Sequence, residues 1–228
     1  MRVVGRPGRI GLQNHLKIIV AEFLPTLFGA IRSLFRPGPY SQFGEDTFIL
    51  NEFGLDRLRD ITYLDIGAGH PVIGSNTYLV YQHDGRGVTV DANPLLSAKH
   101  RKLRPLDNHI SAAVGSFDGP VDFDISSNWS FSRRSDLGGT TGYQTRIKLT
   151  QVRVQPLIDQ MQNSAEWIFN LDVEGLEPEI LEASDFSKAR PKYCFIEVTK
   201  ETRSRVEKLM EIKGFKHSRS FGMTWLFE

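Results

Sequence analysis

Tyr63-Leu64-Asp65-Ile66-Gly67-Ala68-Gly69 is an apolar run that ends in a glycine-rich turn, and Val88-Thr89-Val90-Asp91-Ala92-Asn93 is a second apolar run that ends in an acid. Together they read as the first two strands of a nucleotide-binding α/β sheet. Gly67 and Gly69 let backbone approach a ligand where a Cβ would clash. Asp91, at the tip of the second strand, is placed to accept hydrogen bonds from ribose hydroxyls. Two details argue against a dinucleotide. Val72, after Pro71, stands where the dinucleotide fingerprint needs its third glycine. Asp65 lies two residues before the first glycine, where it would repel a pyrophosphate but attract the ammonium and sulfonium of S-adenosylmethionine (SAM). The turn therefore favours SAM. The competing reading is a strand–helix turn with a capping Asp and no ligand.

The elements alternate on either side of these strands. Strands are predicted at about 62–67, 87–92 and 109–114, with helices at 75–82 and 94–103 between them. Segments 120–125 and 146–154 alternate apolar and polar residues like half-buried strands. Residues 167–172 and 193–198 form a fourth and a fifth core strand. A helix over about 202–213 stops at Gly214, and apolar patches at 215–217 and 223–227 pair at the sheet edge. This is a doubly wound, Rossmann-like α/β sheet, whose ligands bind beyond the carboxyl ends of the strands. Asp65, Asp91 and Asp172 all fall at such ends.

With 228 residues the chain can bury one full α/β core. A net charge of +1 gives no global attraction to nucleic acid. The only cysteine, Cys194, lies in a predicted central strand, so it reads as a buried inert thiol suited to a reducing, cytoplasmic setting. Residues 1–38 differ in character from residues 39–228, and Arg36-Pro37-Gly38-Pro39 marks the boundary. Residues 1–36 carry six basic side chains against Glu22, a local net of +5 that leaves −4 for the rest. Between Leu16 and Phe35 apolar residues recur at helical spacing. Lys17, Glu22 and Arg32 interrupt the run and Pro25 would kink it, which argues against a membrane span. The segment reads either as a basic amphipathic helix lying on an anionic membrane through residues 16–36, or as a helix packed on protein.

Three blocks carry a family resemblance. They are Tyr40-Ser41-Gln42-Phe43-Gly44-Glu45-Asp46, then Asp65 to Pro71 with Ser75-Asn76-Thr77-Tyr78, and Asp172-Val173-Glu174-Gly175 before a helix. In order and spacing they resemble the FkbM-type SAM-dependent methyltransferases, over roughly Tyr40 to Val198. Gly69 departs from the asparagine frequent in that family. The resemblance implies a class I methyltransferase fold and methyl transfer, typically to oxygen, on a sugar, glycan or natural product. It also implies that SAM lies against Asp65, Gly67, Ala68 and Gly69, with Asp91 and Ala92 at the ribose and Ser111 to Ala113 along the adenine. Gln42 and Glu45 would close over the cofactor, although Ser41 and Glu45 equally suit a helix cap. Asn76 either caps the following helix or reaches the cofactor.

Transfer to a hydroxyl needs alignment of the reactants and removal of a proton. Asp172 and Glu174, at the end of the fourth core strand, are the candidates for contact with the reacting centre. Their competing role is charge complementation of the helix near Pro178. Asp172, Glu174 and Glu197 together suit a magnesium ion, but no spacing rule assigns one from sequence. His70 is a lesser candidate base and His83 a surface residue; Glu177 and Glu179 read as a solvated helix face. The polar segment from Ser126 to Gly139, with Trp129, Arg133 and Arg134, reads as an acceptor lid or a surface loop. A nucleotide-dependent oxidoreductase or epimerase would share the sheet, and a catalytically silent binding module would retain it as a scaffold. The sequence leaves the acceptor and the oligomeric state open.

Overall fold

The computed structural model describes residues 39–126, 132–137 and 143–228. The basic segment before residue 39, and Trp129 in the polar segment, lie outside them. In chain order the elements begin with helix α1 (Glu45–Phe53), strand β1 (Thr62–Ile66), helix α2 (Tyr78–Gln82), strand β2 (Arg86–Asp91) and helix α3 (Pro94–Leu103). Strands β3 (Asn108–Ser111), β4 (Ala113–Gly115), β5 (Gly119–Ser126), β6 (Arg133–Arg134) and β7 (Tyr143–Arg153) follow. Helix α4 (Gln155–Asp159), strand β8 (Trp167–Leu171), helix α5 (Glu177–Glu182), strand β9 (Tyr193–Glu197), helix α6 (Arg203–Ile212) and the hairpin β10 (His217–Phe221) and β11 (Thr224–Phe227) complete the chain.

Seven strands form one sheet in the order β10-β11-β9-β8-β1-β2-β3. The five from β9 to β3 are parallel, and β11 runs antiparallel between β9 and β10. The predicted edge pairing is present, with β11 inside and β10 at the edge. The third predicted strand divides. Asn108–Ser111 stays beside β2, whereas Ala113–Gly115 pairs with β7 in a second, four-stranded sheet ordered β4-β7-β5-β6. The amide of Ala112 still donates to the Asp91 carbonyl, so the chain leaves the main sheet just past the tip of β2.

Strand residues alternate between two cores. Leu64, Ile66, Val88, Val90, Trp167, Phe169, Leu171, Cys194 and Ile196 belong to one. Tyr63, Ile168, Tyr193 and Phe195 join Phe48, Ile49, Leu79 and Val80 from α1 and α2 in the other. Burial on both faces explains why these strands read as nearly continuous apolar runs. Each such side chain removed from water contributes about 1.5–3 kcal/mol. Cys194 is fully buried, and that burial pushes its thiol well above the ordinary range, as expected of an inert thiol.

The same alternation decides the fate of Asp65. It shares the Tyr63 face and stands opposite Asn170 in register. There it accepts hydrogen bonds from Thr77 Oγ1 at 2.6 Å and Asn170 Nδ2 at 2.8 Å. Asn170 Oδ1 accepts in turn from Asn76. Arg104, also fully buried, donates to Thr77 and Ser75 and pairs with Asp107 at 2.7 Å. Tyr63 donates to the same Asp107, and its ring lies under the Arg104 guanidinium. One buried cation thus compensates the acids of a network that ties β1 to β8, α2 and the end of α3.

Arg104→Met leaves Asp65 and Asp107 buried without their cation and is expected to cost about 3–5 kcal/mol in urea unfolding. Arg205→Ala, whose pair with Glu182 is half exposed on both sides, should barely move the midpoint. Equal stability of Arg104→Met and the parent would show the network to be dispensable.

Candidate active site

Three strand ends are locked together at the glycine turn. Gly67 adopts φ +75°, and a Cβ there would stand 1.6 Å from the Asp172 carbonyl oxygen. Gly67 and Ala68 donate their amides to the Val90 carbonyl, and Asp172 donates to that of Ile66. Gly69, at φ +56°, turns the chain so that its amide reaches Asp91. Above these ends lies a cavity of about 440 Å³. Its lining includes Gly67, Ala68, Gly69, Asp91, Ala92, Ala113, Asp172 and Glu174, all singled out from the sequence, and Gln42 from the loop before α1.

One end sets a backbone-held carboxylate beside an apolar slot. Asp91 Oδ2 accepts from Gly69 at 2.8 Å and Oδ1 from Asn93 at 2.7 Å, so the carboxylate is held by backbone at the rim. Burial raises it to about 6 despite those two amides. Beside it Ala112, Ala113, Val114 and Phe123 form an apolar slot. Phe123 went unnoticed in the sequence, although its place in the β5 alternation marked it as inward-facing.

The other end gathers acids. One carboxylate oxygen from each of Asp172, Glu174 and Glu197 lies within 4.8 Å of the others. Asp172 is open to the cavity, Glu174 half-buried and Glu197 buried. Burial and then repulsion from Asp172 raise Glu174 to about 8 and Glu197 to about 10. Asp172 rises to about 7 because protein surrounds it and Glu177 is near, even though its side chain is open to the cavity space; the hydrogen bond it shares with Glu197 opposes the rise. Glu174 has φ +56°, a strained conformation for a side chain of its size. Glu177 holds it there, because its carboxylate accepts from the amides of Val173 and Gly175.

Several expectations are corrected by this geometry. Asp65 and Glu45 are absent from the lining. Asp65 points away because of strand parity, and Glu45 bends back to accept from the Phe43 amide. Gly44 is the N-cap residue of α1 and offers no side chain; Ser41 Oγ, three residues earlier, accepts from the Gly44 and Asp46 amides and donates to Asp46 rather than Glu45. Asn76 neither caps nor lines the cavity; Ser75 accepts from the Tyr78 amide instead. His70 sits buried in the turn with Nδ1 accepting from Val72 and Ile73, and burial lowers it to about 4. Glu177 is buried rather than solvated. Glu179 and Arg134 are committed to each other, which removes Arg134 as an anion binder. Arg133 lies near enough to Glu174 to oppose its rise.

Raised carboxylates carry a stability signature. Such groups titrate near pH 4 in an unfolded chain, and Glu174 near 8 in the folded one. Between those values the native state binds more protons, so the stability present below about pH 4 is lost as pH rises towards 8. In chelator-containing buffer, urea unfolding should therefore show Glu174→Gln gaining on the parent between pH 5 and pH 8. A difference that stays constant or moves the other way would contradict the assignment.

The family model described as the methyltransferase FkbM domain matches residues 65–218. Comparison with curated proteins gives no match. Among solved structures, the chain is similar to precorrin-6y C5,15-methyltransferase from Geobacter metallireducens GS-15, at 14% identity, with 80% of this chain and 84% of that chain covered and a TM-score of 0.42. It is also similar to a SAM-dependent methyltransferase from Aquifex aeolicus, at 14% identity, with 87% and 95% covered and a TM-score of 0.39. The family match spans more than half of the chain, from Asp65 at the glycine turn through both strand-end acids, and the chain belongs to the FkbM methyltransferase family, with a doubly wound class I methyltransferase sheet.

Proposed function

We propose that the protein binds SAM in this cavity and transfers its methyl group to a hydroxyl oxygen of a sugar, glycan or natural-product acceptor. The observation that supports the cofactor is the sign of the lining. Among the described residues it holds Asp91, Asp172, Glu174 and Glu197 and no lysine, arginine or histidine. Asp91 and Asp172, the least raised of these acids, keep negative charge near neutral pH, and with no cation among the described lining residues they repel a pyrophosphate and favour a cationic ligand, which sets the oxidoreductase alternative aside. Asp91 is oriented to accept from a ribose diol, and the slot of Ala112, Ala113 and Phe123 accepts a flat apolar ring.

When bound, SAM supplies an electrophilic methyl group on a positively charged sulfur. The chain's contribution is alignment and proton removal. Asp172 and Glu174 occupy the cavity end opposite the adenine slot, where an acceptor hydroxyl would meet the methyl. Glu174, raised to about 8, suits a general base that works near neutral pH. Backbone pinned by Glu177 keeps that carboxylate fixed. Phe43, Ile73 and Met223 leave exposed apolar surface at the rim, suited to the faces of a sugar ring or an aliphatic product.

We place the protein in the cytoplasm, with residues 16–36 touching an anionic membrane surface; among the described residues no helix is long and apolar enough to cross one. Calorimetric titration should show S-adenosylhomocysteine binding in the micromolar range, NAD not binding, and Asp91→Ala weakening the former at least tenfold. A folded protein that ignores S-adenosylhomocysteine would overturn the cofactor assignment. Co-sedimentation with phosphatidylglycerol vesicles should be lost on removal of residues 1–36, while S-adenosylhomocysteine affinity survives; retained sedimentation would refute the membrane role.

A further inference from the structure

We propose that Asp172, Glu174 and Glu197 form a binding site for one hard divalent cation, of the magnesium or manganese class, at the acceptor end of the cavity. The inference rests on the methyltransferase reading and deepens it by giving the acceptor hydroxyl an anchor. The first observation is convergence: three carboxylate oxygens from two strand ends and one loop lie within 4.8 Å of one another. Oxygens around a magnesium ion at 2.0–2.1 Å stand about 3 Å apart when adjacent and about 4 Å when opposite. Small side-chain rotations bring the cluster into that range.

The second observation is independent of the clustering. Glu197 is only 6% exposed, lines the cavity, and its Oε2 has no hydrogen-bond partner. Buried carboxylate oxygens are ordinarily satisfied, so this one points to a ligand. Elsewhere the fold compensates buried acids with the Arg104 cation and with donors such as Thr77 and Asn170, but among the described residues no cationic side chain lines this cavity.

The donor set selects the metal class. Three carboxylates with no sulfur or imidazole favour hard cations over zinc or copper. Asp172 and Glu174 face the cavity, which leaves coordination positions for water and for an acceptor oxygen. A hydroxyl so held acidifies. Its O–H bond breaks with the proton passing to water, and the oxygen pair forms the new bond to the methyl carbon. The carbon–sulfur bond breaks with its electrons returning to sulfur, leaving a neutral thioether, and the cation is unchanged. An acceptor with two neighbouring oxygens, such as a sugar diol or a hydroxy acid, matches this arrangement best.

The test uses the full chain, stripped with EDTA and desalted. It is titrated with MnCl₂ while free Mn²⁺ is followed by electron paramagnetic resonance, with S-adenosylhomocysteine binding measured on the same sample. The expected result is one saturable site per chain, competed by MgCl₂, and weakened at least tenfold in both Glu197→Gln and Glu174→Gln. Each variant is first checked for a cooperative thermal transition, and two independent variants protect against one misfolding. No saturable Mn²⁺ binding by the parent, or equal binding by both folded variants, would overturn the site. If S-adenosylhomocysteine binds and Mn²⁺ does not, the cation inference fails alone; if S-adenosylhomocysteine does not bind, the methyltransferase reading fails with it.

Discussion

The contact between Gly67 and the Asp172 carbonyl sets the geometry of the whole carboxyl edge. No side chain fits between β1 and β8 at that point, since a Cβ would overlap backbone. Because the strand ends meet there, Asp91 on one side of β1 and Asp172 on the other are held at a fixed separation across the turn. The Gly67 and Ala68 amides on the Val90 carbonyl extend the lock to β2. The glycine pair therefore has two separate duties. Gly67 permits strand packing, and Gly69 bends the chain so that its amide orients Asp91.

Acids are treated in two opposite ways in this fold. Beneath the turn, Asp65 and Asp107 are enclosed by Thr77, Asn170, Tyr63 and Arg104, and every partner is a donor or a cation. Above it, Asp172, Glu174 and Glu197 crowd together, and among the described residues Arg133 is the cation near enough to oppose the repulsion on Glu174. The first arrangement fixes structure. The second forces acids together so that their burial and mutual repulsion raise them, with Glu174 on left-handed backbone. Strain and uncompensated charge of that kind persist where a ligand offsets them.

The order and character of the segments were legible in the chain. Periodicity placed seven strands of the main sheet and located Asp91, Asp172 and the glycine turn at strand ends, because a doubly wound sheet exposes those ends by construction. The site was harder to read where a side chain's direction mattered. Asp65 looked like a ligand contact by position, yet alternation along β1 sends it under α2. Ser41 makes its expected hydrogen bonds at the start of α1 with Asp46 rather than Glu45, and Glu45 turns back to the Phe43 amide. Glu177 looked like a solvated helix residue, and only the fold shows its carboxylate turned back onto Val173 and Gly175. Arg104 gave no signal at all: nothing local distinguishes it from its exposed neighbours Arg101 and Lys102.

What the sequence determined by itself was the sheet, the turn and the family, because periodicity, glycine spacing and motif order are local properties of a chain. Tertiary structure alone decided which acids share a space. Glu197 is 23 residues from Glu174 in the numbering and meets it only because β8 and β9 are neighbours in the sheet. Burial, parity and the charges that long-range packing brings together fix a carboxylate's direction and protonation, and none of these is a property of its own segment.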